Sequence, residues 1–284
     1  MQNSSLPEDV IVVILSRLPV KALLRFKCVC TRWRSLISSS FFASLHLDRS
    51  IANPARHSLL VHELRRRNKH MSLDLLTSSP NENLNLGLDR AYTFGPELIY
   101  AGSINGLICM LGNSADSLLI WNPSSRMFKT LPLGRHTDPS CLSIGFGWDT
   151  ISDDYKVVKI GSNYEDGKLR RTWSEVWSAN LDSWSEVEID QNFGLLKNSC
   201  DVIVKGFAYW FAEDGFESDR ISLIASFDMR TEVLKLVPVP DSLVGPQNDF
   251  DCMNWKETFA LIERISSEPR KIYQCKWKIC TEKA

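Results

Sequence analysis

Ile120-Trp121-Asn122-Pro123-Ser124-Ser125-Arg126-Met127-Phe128 decides the fold of most of this chain. A short apolar run ends in an aromatic residue. A polar turn of about four residues follows. An apolar residue then returns seven positions after the aromatic. The same pattern recurs at Val176-Trp177-Ser178-Ala179-Asn180-Leu181-Asp182-Ser183-Trp184 and at Ser226-Phe227-Asp228-Met229-Arg230-Thr231-Glu232-Val233-Leu234. Leu131-Pro132 and Val237-Pro238 close two of the three units. A hairpin repeated about every 50 residues predicts a series of small antiparallel sheets rather than one large sheet.

The segments between these hairpins also read as strands. Gly106-Leu107-Ile108-Cys109-Met110-Leu111, Tyr155-Lys156-Val157-Val158-Lys159-Ile160 and Gly206-Phe207-Ala208-Tyr209-Trp210-Phe211 are rich in β-branched and aromatic residues. Gly opens two of them, where a tight turn or a close backbone approach is wanted. The expected architecture is a β-propeller with kelch-like blades. Upstream, Ser58–His62 and Met71–Leu76 are strand candidates. The basic run Arg65-Arg66-Arg67-Asn68-Lys69-His70 between them reads as a solvated hairpin tip. Residues 78–90 are loop-like. Downstream, Phe259–Ile265 and Lys271–Ile279 hold two more strand candidates. That makes about three to four blades, too few for a closed ring of the larger propellers. An incomplete or open propeller with exposed strand edges is expected.

Composition narrows the function classes. The 284 residues are 44% hydrophobic and 24% charged, as in an ordinary globular protein. Lys and Arg total 33 against 34 Asp and Glu, so nothing favours nucleic acid or an anionic membrane as partner. No apolar run reaches the roughly 18 residues that span a bilayer. The N-terminus lacks a signal-peptide pattern, and cytoplasm and/or nucleus is the expected location. The eight cysteines form no Cys-x-x-Cys pair and sit near no His pair at zinc spacing. Most of them read as small core hydrophobes in a reducing compartment.

The first 47 residues have a different texture. Ser5 precedes Leu6-Pro7-Glu8-Asp9, a helix start with Pro and two acids in the first turn. Val10, Ile14 and Leu18 form one apolar row, and Ile11 and Leu15 fill the adjacent one. Pro19 ends that helix. Residues Val20–Phe26 read as a second helix and Cys30–Ser38 as a third. Phe41, Phe42, Leu45 and Leu47 continue the apolar pattern. A unit this small cannot hide so many aliphatic side chains in its own core. Surplus apolar surface marks either a partner site or packing on the rest of the chain.

Leu6-Pro7-Glu8-Asp9-Val10, Leu18-Pro19-Val20-Lys21 and Cys30-Thr31-Arg32-Trp33 closely resemble an F-box, with the motif's spacings kept throughout. The resemblance implies a head that binds a Skp-type adaptor and, through it, a cullin. The positions matching the family's adaptor-facing set are Leu6, Pro7, Ile14, Leu15, Leu18, Pro19, Leu24, Val29 and Trp33. Some of these must instead hold the helices together, and the sequence does not apportion them. The body resembles the plant F-box-associated, kelch-like domain through Gly102–Cys109, Trp121–Arg126, Gly145–Asp149, Asp153–Val158 and Lys205–Ala212. Lys205-Gly206-Phe207-Ala208-Tyr209-Trp210-Phe211-Ala212 is similar to the S-locus F-box branch, the pollen-side proteins of self-incompatibility.

The expected fold class is thus α+β and multidomain. A three-helix head at residues 1–47 is followed by a connecting region with early strands at 48–97 and an all-β kelch-like domain at 98–284. The resemblance implies the substrate-recognition subunit of a Skp-cullin-F-box ubiquitin ligase, with an unknown target protein on the β domain. No catalytic constellation, cofactor or metal site is expected. Asp149, Asp153 and Asp154 read as a polar turn. Gly145-Phe146-Gly147 lacks the rest of a dinucleotide fingerprint. The competing readings are a target-less remnant or decoy, and a kelch-type enzyme. The enzyme would need a Tyr, His and Cys ligand set, and His136 is the one His in the body.

Overall fold

The computed structural model describes residues 6–53, 58–65, 70–77, 87–94, 99–112, 117–136, 139, 141–166, 168–195, 200, 202–214, 221–239, 249–267 and 272–278. Two compact units divide it. One holds residues 1–98 with 105–107 and 121–128, and the other holds the remainder.

Among the described residues the head has four helices, one more than the three expected: α1 Glu8–Ser16, α2 Val20–Phe26, α3 Thr31–Ser38 and α4 Ser40–Ile51. Each start has a local cause. Pro7 and Pro19 sit at the N-caps of α1 and α2, and Glu8 and Asp9 complement the α1 dipole. Cys30 caps α3 by accepting from the Trp33 N–H at 3.4 Å, and Ser39 caps α4 by accepting from the Phe42 N–H at 3.2 Å. The fourth helix comes from the run through Leu47. Its Phe42 enters the core beside Leu15, Leu23 and Ile37. The imidazole of His46 bonds the Leu18 carbonyl at 2.9 Å and ties α4 to the end of α1.

The described β residues form five separate antiparallel sheets. The first joins β1 Ser58–Arg65, β2 His70–Thr77 and β3 Gly87–Phe94. Both expected early strands are present, with Arg65 opposite His70. The centre of the basic run, 66–69, lies outside the described residues. The third strand occupies part of the stretch read as loop. The second sheet holds β4 Ile99–Ile104, β5 Leu107–Leu111, β6 Leu118–Asn122 and β7 Met127–Thr130. The third holds β8 Cys141–Asp149, β9 Asp154–Glu165, β10 Lys168–Ser178 and β11 Ser183–Val187. The fourth is built from β12 Gly194–Leu195, β13 Val202–Val204, β14 Phe207–Asp214, β15 Ile221–Asp228 and β16 Val233–Pro238. The fifth joins β17 Asp249–Trp255, β18 Thr258–Ser267 and β19 Ile272–Lys278. Five sheets exceed the three to four blades expected, because the early strands assigned to a connecting region join β3 in a sheet of their own.

Each sheet is a meander whose neighbours in space are mostly neighbours in sequence. Burial falls across the third sheet: β8 and most of β9 are buried, whereas β11 is largely exposed. Strand β4 packs on β8, β8 on β12 and β14, and β13 and β14 on β17. This side-by-side packing of small twisted sheets, innermost strand to innermost strand, is how propeller blades build a core.

Close approach of the sheets explains Gly145 and Gly147. A Cβ on Gly145 would lie 2.8 Å from the Trp210 ring and 2.9 Å from Val158 Cγ1. One on Gly147 would lie 2.8 Å from the Met229 Sδ-methyl carbon. These glycines make room for the next sheet.

Two buried charge clusters lock the third sheet. On one face the Lys156 ammonium donates to the Met229 carbonyl at 2.8 Å and pairs with Glu232 at 2.8 Å and Asp149 at 3.4 Å. It therefore bridges from β9 to the β15–β16 turn. On the other face Lys159 and Glu175, both almost fully buried, pair at 3.1 Å. Glu175 Oε1 accepts from the backbone N–H groups of Arg135 at 2.8 Å and His136 at 3.1 Å. Lys159 donates to the His136 carbonyl at 3.2 Å and lies 4.7 Å from the centre of the Trp184 ring. The pair thereby fastens the connector that leads into β8.

Burial alone would raise the Asp149 carboxyl. Hydrogen bonds from Ser152 and from the Ile151 and Ser152 N–H groups, with Lys156 beside them, overcome that and hold it below its ordinary range. Burial alone would lower Lys156, and Glu232 and Asp149 reverse this, leaving it above its ordinary range. The Asp149 contribution is present above the unfolded value near 4 and is lost as pH falls through the lowered folded value. The Lys156 contribution is complete below the unfolded value near 10.4 and is lost as pH rises through the raised folded value.

Thermal unfolding of the wild type should show a plateau between about pH 5 and 9 with an acid limb below it. Asp149→Asn should lower stability at pH 7 and flatten that limb; a limb of unchanged steepness would show that Asp149 is not its source. Denaturant titration should find Gly145→Ala costlier than Gly147→Ala, with the former at about 1–3 kcal/mol, since a rigid indole yields less than a methionine. Equal costs would refute the packing assignment.

Candidate functional site

The head supplies the candidate site, and its helices sort the expected residues into two groups. Leu15 is 1% exposed and belongs to the head's own core with Leu23, Ile37 and Phe42. Leu18 and Trp33 are partly buried against the same cluster, with Trp33 tilted over Phe26 at 5.3 Å between ring centres. These three sit where they hold the helices together. Pro7 and Pro19 are exposed at the starts of α1 and α2. Leu6, Ile14, Leu24 and Val29 are 57%, 47%, 36% and 61% exposed.

The outward set is larger than the sequence pattern identifies. Val10, Val13 and Ile14 of α1 are all exposed, so an aliphatic row runs along that helix on the side away from Leu15. Phe41, at the start of α4, is 65% exposed. Spacing does not single out Val13, because a helical row read from sequence does not say which of two adjacent rows faces inward. Helix α4 makes that choice, through His46 and Arg49 bonded to the carbonyls of Leu18 and Val13.

The chemistry available to this surface is docking rather than bond-making. It presents aliphatic side chains at i, i+3 and i+4 on a short helix, the pattern that inserts into an apolar groove. The head as a whole is cationic: residues 6–53 carry seven Lys and Arg against three Asp and Glu. Among the described residues of the β domain, buried Asp149, Lys156, Lys159 and Glu175 are engaged in the two clusters above, and buried Asp154 accepts from the Ser178 hydroxyl and the Asn180 N–H. Among the described residues no three His, Cys, Asp or Glu side chains gather as metal ligands. Among them, too, no helix is long and apolar enough to cross a membrane.

Comparison with known proteins places both parts. The F-box domain family matches residues 3–44, and the family described as the F-box associated beta propeller domain matches residues 70–282. Similar proteins come from Arabidopsis thaliana. A putative F-box protein is 32% identical over 256 residues, covering 83% of this chain and 64% of its own length. An F-box/kelch-repeat protein is 30% identical over 252 residues, covering 83% and 66%. F-box only protein 8 is 27% identical over 250 residues, covering 83% and 80%. The chain thus spans just under two thirds of the length of the first two relatives. An F-box at one end and a propeller-type domain matched over the rest make this chain a member of the F-box proteins that carry an F-box-associated β-propeller domain.

Proposed function

We propose that this chain is a substrate receptor of a Skp-cullin-F-box ubiquitin ligase, working in the cytoplasm and/or nucleus. The outward residues of the head, Leu6, Pro7, Ile14, Pro19, Leu24 and Val29, dock on a Skp-type adaptor and through it on a cullin. Leu15, Leu18 and Trp33 support that face from beneath. The β domain holds a target protein. Ubiquitin transfer then follows from proximity, with the bond-making done on other subunits.

One observation carries this reading. The head completes its own core with Leu15, Leu23, Ile37 and Phe42, yet leaves Leu6, Val10, Val13, Ile14 and Val29 in water. Burial of a side chain of that size is worth about 1.5–3 kcal/mol, so even a few of them can drive a stable complex. An extended aliphatic row on a helix surface is a recognition feature rather than scattered exposure. The family as a whole acts by bringing other proteins together, and the β domain's buried charges are committed to holding its sheets. No catalytic role is assigned to any residue.

Ile14→Asp and Val29→Asp should each weaken binding to a Skp-type adaptor by about 100-fold or more, equivalent to about 2.7 kcal/mol, while circular dichroism stays that of the wild type. Leu15→Ala should act differently, lowering the melting temperature of the head through a core cavity worth about 2–5 kcal/mol. Adaptor binding that survives both aspartate variants would overturn the docking face.

A further inference from the structure

The α2–α3 turn holds two thiols that the docking function does not use. Cys28 and Cys30 are both exposed and flank Val29, itself 61% exposed and part of the proposed docking face. The other described cysteines differ. Cys109 is buried, Cys200 and Cys252 are partly buried, and Cys141 is exposed at the start of β8 opposite Ser162. Burial also pushes the Cys109 thiol well up, which keeps it protonated and inert.

Cations lie along the chain on both sides of the pair. Arg25, Lys27, Arg32 and Arg34 all lie within six positions of Cys28 in the sequence, and Arg25, Arg32 and Arg34 are exposed. Glu8, which pairs with Arg32 at 3.1 Å, is the one carboxylate bonded to this group among the described ion pairs. Positive charge around an exposed sulfur draws anionic reagents to it and speeds encounter. Cys30 has a second task, because its Sγ is the acceptor that caps α3. An adduct there would act on the helix start and on the docking surface together.

We propose that Cys28 and Cys30 form a modification site for anionic low-molecular-weight disulfides of the glutathione class, and that the adduct blocks docking of the head. The thiolate sulfur attacks one sulfur of the reagent. A new S–S bond forms to the cysteine, the reagent's own S–S bond breaks, and its other half leaves as a thiolate. The cysteine is oxidised and the departing half reduced, with the thiol proton going to solvent. The reaction reverses with excess thiol. The blocking step rests on the docking reading above; the reactivity does not.

The test uses the full chain with oxidised glutathione at low ionic strength, and adducts are located by peptide mass spectrometry. Cys28 and Cys30 should react about tenfold faster than Cys141, within the range of electrostatic steering. The advantage should shrink at about 1 M salt, where the Debye length is about 3 Å. An uncharged reagent, hydroxyethyl disulfide, should show much less preference. Equal labelling of Cys28, Cys30 and Cys141 by glutathione disulfide would overturn the site. Adaptor binding should be lost on treatment and restored by reductant. It should persist after treatment in the double variant Cys28→Ser/Cys30→Ser, where the introduced hydroxyl at the α3 N-cap can take over the capping bond. A fully adducted wild type that binds as before would overturn the block. An untreated chain that binds no adaptor would instead count against the docking reading and leave the labelling result standing.

Discussion

The inner strands of the third sheet, β8 and most of β9, are buried on both faces, and much of the β domain follows from that constraint. A four-stranded meander with one wet face would alternate polar and apolar residues along each strand. Strands β8 and β9 do not; they read as continuous buried runs from Leu142 to Gly147 and from Val157 to Ser162. Neighbouring sheets therefore press on both sides. Gly145 and Gly147 admit Trp210 and Met229 from one side, and on the other Gly102 comes against Phe146. A charge inside such a sandwich has no water to turn to. Lys156 and Lys159 are tolerated because each meets a carboxylate and a backbone carbonyl at bonding distance. Pairs of this kind add little net stability compared with apolar residues. They do specify which partner segment lies against the sheet: the β15–β16 turn for Lys156, and Arg135–His136 of the connector between β7 and β8 for Lys159 and Glu175.

The repeating hairpin owes its visibility to turn chemistry more than to its strands. The residue just after each aromatic uses its side chain to organise the turn. Asn122 accepts from the Ser125 N–H, Ser178 from the Leu181 N–H, and Asp228 from the Arg230 N–H. Five positions after each aromatic, Arg126, Asp182 and Glu232 take left-handed backbone angles of 60°, 51° and 58°. Three turns with unrelated residues at that position share one backbone shape. The two-residue turns behave likewise. Asn105-Gly106 and Lys205-Gly206 advertise themselves through glycine, while Lys256-Glu257 adopts the same double left-handed geometry without one. A sequence reader finds the first two, and so misses β17 and the hairpin that the third turn makes.

That contrast marks what can be read in advance. Helices α1 to α3, the paired early strands and the central hairpins all carry local signals: caps, periodicity and turn residues. Helix α4 carries one too, since Ser39 is an ordinary N-cap, but two adjacent phenylalanines obscure its period. The Lys159–Glu175 pair is not legible at all. Its members lie on adjacent strands, and its ligands come from a connector 39 and 40 residues from Glu175. The division of the docking residues is also hidden. Ile14 and Leu15 are neighbours with nearly the same chemistry, and only the placement of α4 decides that one is exposed and the other enclosed.

That division bears on why the outward residues are apolar. Leu15 needs to be apolar for the head to fold, because removing its side chain would open a cavity among Leu23, Ile37 and Phe42. No such requirement acts on Leu6, Val13, Ile14 or Val29. Polar side chains of equal helix propensity would serve α1 as well and would suit water better. Their aliphatic character is therefore not a product of the head's own stability, and in isolation it is a liability for aggregation. On the docking reading proposed above, a partner surface is what holds these positions apolar. The head's excess of Lys and Arg over Asp and Glu would, on the same reading, favour an apolar groove with an acidic rim, which satisfies the aliphatic row by burial and the cations by charge.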